Sequence, residues 1–139
     1  MHFPRHLLRL LHVSHCRRPP RTFASAAHLL AHLLDILKAT ATLLTIARSA
    51  LASPEIHAAF AAALAEVAAC RQMVHMLHKP RALVGWNAAS RGTALGVLDT
   101  ANENLWAVGK TLRAGQSGGG EAWADEYRRL DAERRRRKR

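Results

Sequence analysis

No acidic residue precedes Asp35, and the whole chain holds 10 acids against 21 lysines and arginines, a formal charge of +11. That imbalance calls for an anionic partner, which could be phospholipid, RNA or an acidic protein, and charge alone does not choose among them. Aromatic residues make up only 5% of the sequence. A bulky core is thereby excluded, and so are the stacking platforms of a single-strand nucleic-acid binder. Only two cysteines occur, Cys16 and Cys70, in dissimilar contexts. They cannot make a disulfide framework, and a reducing compartment fits. Unbroken apolar runs of about eighteen residues are absent too, because Arg48 and Glu55 interrupt the best candidate, "ATATLLTIARSALASPEI". No transmembrane helix is expected on that count. The chemistry of enzymes is equally sparse: there is no glycine-rich dinucleotide fingerprint and no paired carboxylates in a plausible cleft. "GKT" at Gly109 to Thr111 ends like a phosphate-binding loop, but Asn104 stands where that motif needs its first glycine, and a helix precedes it where a strand is required. The expectation is a protein without catalysis, cofactor or metal.

What the chain does have is helical periodicity. Hydrophobic residues reach 49%, much of it alanine, which favours close helix packing in one small domain. Leu30, Leu33, Leu37, Leu44, Ala47 and Leu51 follow three-four spacing, predicting a helix from about Ser25 to Ala52. Ser53, Pro54 and Glu55 then read as N-cap, first helical residue and dipole-compensating acid of a second helix. Its apolar line is Ile56, Phe60, Ala63, Val67, Cys70, Val74 and Leu77, closing at Lys79-Pro80. A third helix lies in "SRGTALGVLDTANENLWAVGKTLRAG", with Leu98, Ala101, Leu105, Val108 and Leu112 in line and Gly115 as its stop. Gly92 and Gly96 disfavour that helix by up to about 1 kcal/mol each relative to alanine, so they are expected to admit a close neighbour.

The predicted fold is therefore all-α: a small bundle of three to four amphipathic helices with basic ends. Residues 1–24 form a basic amphipathic arm or targeting segment, 25–115 the helical domain, 116–120 a Gly-rich linker and 121–139 a basic terminal helix, exposed and making few cross-contacts. Histidines are numerous, nine in all. His28, His32 and Asp35 share a helix face at metal-ligand spacing, and His75 with His78 form another pair, but a chain so rich in histidine produces such pairs by chance. They read as ordinary solvated or interfacial residues. On the second helix Cys70, Met73, Val74 and Leu77 fall on one arc, while Arg71, Gln72, His75, His78 and Lys79 occupy the other.

Three stretches in order carry a family resemblance: "DILK" at Asp35 to Lys38, "CRQMVHML" at Cys70 to Leu77, and "SRGTALGVLDTANENLWAVGK" at Ser90 to Lys110. From about Leu29 to Gly115 the chain resembles the peroxin-eleven family of peroxisomal membrane-shaping proteins. Asp35 and Lys38 match its helix start, Arg71 its arginine position, and Glu103, Asn104 and Trp106 its acid-Asn-x-x-Trp type signature. Family members usually continue past that tryptophan into another membrane-associated segment, so the resemblance implies a short or truncated, divergent member.

Three functions follow as expectations. The first is a peroxisomal membrane protein that promotes elongation or division by laying the Phe60-to-Leu77 helix into one leaflet. Phe60, Val67, Cys70, Met73, Val74 and Leu77 would form the apolar wedge, while Arg71, Lys79 and Arg81 hold headgroup phosphates. Its partners would be anionic phospholipid and either further copies of itself or other organelle-division proteins. The second is a mitochondrial helical accessory subunit, since the first segment is Arg-rich and acid-free and "RTF" before "AS" resembles a matrix-protease site. The third is a nucleic-acid-associated protein using "RRRRKR", disfavoured by the lack of any base-reading motif.

Overall fold

The computed structural model describes residues 23–49, 54–114 and 124–138, and among them the chain is all-helical: α1 (Ala26–Ser49), α2 (Pro54–Met76), α3 (Ala88–Ala114) and α4 (Ala124–Arg137). Each start has a local cause where the caps are described. The Ser25 hydroxyl accepts the His28 amide at 3.2 Å and so caps α1. Asn87 and Ser90 cap α3 reciprocally: Asn87 Oδ1 accepts the Ser90 amide at 2.9 Å, and Ser90 Oγ accepts the Asn87 amide at 2.8 Å. Ser53, the expected cap of α2, lies outside the described residues, as do residues 1–22 of the basic arm and the Gly-rich linker 116–120.

One core joins the elements. Leu29, Leu33, Ile36 and Leu43 of α1 meet Ile56, Phe60, Val67 and Val74 of α2 and Leu98, Leu105, Val108 and Leu112 of α3, all at most 2% exposed. Burial of each such side chain contributes about 1.5–3 kcal/mol. The α1–α3 interface is the most extensive, with α2 packed on both. The apolar lines expected for α2 and α3 are the buried ones, except that Leu77 is only half-buried. In α1 the stripe is rotated. Its buried line runs Leu29, Leu33, Ile36, Thr40, Leu43 and Ala47, whereas Leu30, Leu37 and Leu44 are only partly covered. That buried line includes Thr40, a polar residue with 0% exposure that apolar spacing passes over. Its hydroxyl donates to the Leu37 carbonyl at 2.8 Å and accepts Asn104 Nδ2 at 3.2 Å, so a hydrogen bond lets a non-hydrophobic residue take the core line.

Three further expectations are corrected. A Cβ built on Gly92 or Gly96 meets nothing within 4 Å, so these glycines admit no close neighbour; they lie on the open side of α3. The terminal helix does not stand apart. Leu130 is 5% exposed and joins the core cluster, and α4 packs on both α2 and α3. Lastly, α1 is long and apolar enough to cross a membrane by length and composition, with 33% of its most apolar window buried in the bundle. The interrupted stretch singled out above begins at Ala39 and so omits the apolar residues from Leu29 to Leu37, which lengthen the apolar part of α1 despite Asp35 and Lys38.

Between α2 and α3 the chain turns a tight corner. Arg81 takes a left-handed backbone, φ 65°, and its amide donates to the Trp86 carbonyl at 3.2 Å. Gly85 has φ 79°, a region that residues with a Cβ rarely enter. Trp86 is buried, and its indole N–H donates to the Leu77 carbonyl at 2.6 Å. That bond satisfies an acceptor at the C-terminal end of α2. Val84 pairs with Ser25 in an isolated parallel bridge, its carbonyl accepting the Ala26 amide at 2.8 Å.

Candidate functional site

The residues singled out in the sequence separate into three places. Phe60, Val67, Cys70 and Val74 are core, none more than 2% exposed, so the apolar arc of α2 faces α1 and α3 and not a surface. Met73 and Leu77 border that core, half-buried. Asp35 and Lys38 are exposed on α1, and no described contact joins them to the other signature positions.

The second place is a charge cluster where α4 docks. Arg71 is mostly buried, its side chain 16% exposed; Nη2 donates to Asp99 Oδ1 at 2.6 Å and Nε lies 3.3 Å from Glu133 Oε1. The latter is an ion pair without hydrogen-bond geometry. Arg71 was expected to reach for headgroups and is instead held between two carboxylates. Glu103 accepts Arg134 Nε at 3.0 and 3.1 Å and also faces Arg137 Nη2 at 3.7 Å. Arg137 Nη1 reaches Asp99 at 2.6 Å. Trp106 completes the group: its indole donates to Asp131 at 3.1 Å, the Arg134 guanidinium stacks 3.9 Å from the ring centroid, and Lys110 Nζ lies 5.2 Å from it. Such cation–π contacts contribute about 0.5–2 kcal/mol. Asn104 points the other way, to Thr40. Glu103, Trp106 and Arg71 are thus the positions that receive α4, while Asn104 ties α3 to α1. Beside the cluster an open groove of about 740 Å³ is lined by Leu64, Val67, Arg71, His75, Arg129 and Arg136, among others.

The third place is the α2–α3 corner, where Lys79 and Arg81, expected to hold headgroups, lie beyond the end of α2. Met76 and Val84 are 72% and 74% exposed, the most exposed large hydrophobics among the described residues. Between them lie His78, Lys79 and Arg81, all exposed. Two apolar tips and three cationic or titratable side chains therefore share one turn. The signal was present in the sequence as "MLHKPRALV", but periodicity says nothing about residues beyond a helix end.

Comparison with family models, curated proteins and solved structures finds no match to this chain.

Proposed function

We propose that the chain acts without catalysis at an anionic membrane surface, in the peroxisome elongation and division associated with the peroxin-eleven family that it resembles. The observation that carries the membrane part is the corner. Met76 and Val84 can enter the headgroup boundary while Lys79 and Arg81 stay at phosphate depth, each cation contributing about 1 kcal/mol near a charged surface. The formal charge of +11 supports the same reading. The peroxisomal part rests on the order of the three resembling stretches. Leaflet insertion by the α2 face has a cost that the corner avoids: Phe60, Val67 and Val74 would have to leave the core, at about 1.5–3 kcal/mol each, so deeper insertion of α2 follows only if α1 and α3 open.

Full-length protein should sediment with phosphatidylserine-containing vesicles and not with phosphatidylcholine vesicles at the same lipid concentration. Met76→Asp with Val84→Asp should abolish the interaction, since both sites are exposed and the bundle is left intact. Lys79→Gln with Arg81→Asn should weaken it and reduce its salt sensitivity; asparagine is chosen because it tolerates the left-handed backbone at that position. Equal binding by all three proteins, or none by the wild type, rejects the corner as the contact. Localisation of tagged full-length protein, with the tag at each end in turn, tests the organelle: mitochondrial signal would replace the peroxisomal reading with the presequence one.

A further inference from the structure

His32 of α1 and Glu66 and Cys70 of α2 bring three different metal-binding groups to one point between the helices. His32 Nε2 lies 2.8 Å from Glu66 Oε1, Cys70 Sγ lies 3.8 Å from the same oxygen, and all three ligand atoms fall within 4.8 Å of one another. We propose that His32, Glu66 and Cys70 bind one zinc-class divalent ion, which bridges α1 to α2.

The placement follows from helix geometry. Glu66 and Cys70 are four residues apart, so they stack on one face of α2. That face meets α1 at His32, whose ring packs against Phe23 with centroids 5.4 Å apart. Around tetrahedral zinc, bond lengths of about 2.0–2.3 Å set neighbouring ligand atoms roughly 3.3–3.6 Å apart. The His32–Glu66 pair therefore has to open by about half an ångström, and Cys70 has to close by a few tenths. The His32–Cys70 pair, within 4.8 Å, has to close by at most about 1.3 Å, a movement within reach of side-chain rotation. The Glu66 carboxylate is already the shared acceptor that keeps nitrogen and sulfur converged. Access is one-sided: Cys70 is 2% exposed, while the side chains of His32 and Glu66 are 23% and 13% exposed. An ion would reach the site from the His32–Glu66 side.

Ligand chemistry selects the metal. A thiolate with an imidazole suits zinc and cobalt, whereas magnesium and calcium take all-oxygen sets. Binding requires the Cys70 thiol to lose its proton to solvent, so affinity rises with pH. The sequence pattern pointed to His28, His32 and Asp35 along α1 and led to no metal being expected. Across the helix pair, His32 turns to α2 instead, while His28 and Asp35 are exposed. The proposal does not depend on the membrane reading.

The test is titration of reduced full-length protein with Co²⁺, followed by Zn²⁺. One equivalent of Co²⁺ should produce a thiolate-to-cobalt charge-transfer band in the near ultraviolet, Zn²⁺ should displace it, and Zn²⁺ should raise the thermal midpoint. Cys70→Ser should lose the band, and Cys16→Ser should keep it. Loss of even an outer partner of a metal ligand costs about 10–100-fold in affinity, so His32→Gln should cost at least as much. His32→Gln also decides the matter if Cys70→Ser, a core substitution, fails to fold by circular dichroism. A folded wild type without the band overturns the proposal. So does a band that survives His32→Gln at full affinity, or one that follows Cys16 in place of Cys70.

Discussion

Thr40 shows how a polar residue can sit on the core line of a helix. The hydroxyl's bonds to the Leu37 carbonyl and Asn104 satisfy it on the same buried line as Leu29, Leu33, Ile36 and Leu43. Thr40→Val keeps the shape and removes the acceptor for the Asn104 amide. Leaving a buried polar partner unsatisfied costs about 1–3 kcal/mol, so urea denaturation should show a loss in that range. Asn104→Ala combined with Thr40→Val should be less damaging than the two single losses added together, because both partners are then removed. The exposed glycines predict the opposite sign. Gly92→Ala and Gly96→Ala meet no neighbour within 4 Å, and each should raise stability by up to about 1 kcal/mol, read as a higher thermal midpoint. A decrease at either site would show that something covers this side of α3.

At the level of elements, the legible parts of the sequence were those in which one face stays apolar from end to end. Phe60, Val67 and Val74 in α2 and Leu98, Leu105 and Leu112 in α3 form such lines, and their burial followed from spacing. Helix α4 was legible as a helix but not as a docked one, since its contacts depend on pairing Arg134 with Glu103 and Arg137 with Asp99 across long separations. Local charge order along α4 carries no information about such partners. The exposed Met76 and Val84 of the corner and the His32–Glu66–Cys70 group were hidden for a related reason: each is assembled by turns and helix pairing, and neither has a period. Docking of α4 has a direct readout. Leu130→Ala removes its buried apolar anchor and should shift the Trp106 indole N–H resonance in a nitrogen-proton spectrum, while the Trp86 indole resonance stays in place. Movement of both would mean that α4 supports the whole bundle and not just its own seat.

For the molecule as a whole, the question is whether α2 belongs to the bundle or to a bilayer. Val74 has 0% exposure, and a carboxylate placed there faces the desolvation penalty of a buried charge. Val74→Asp in the full chain should abolish cooperative thermal unfolding, even without lipid present. Retained cooperativity would mean that the α2 face is free for other uses. The hydrogen bond between Ala26 and Val84 links this question to motion. The Ala26 amide would be an orphan donor at the first turn of α1, yet it bonds to a carbonyl of the corner, and the Trp86 indole closes the same corner from the α2 side. Fraying of α1 and opening of the corner are then one local event, seen by two protons far apart in sequence. Their deuterium exchange should proceed at rates that change together with temperature and mild denaturant. Anionic vesicles that engage Met76 and Val84 should slow both by the same factor, so a bilayer resting on the corner would register at the first turn of a helix it does not touch.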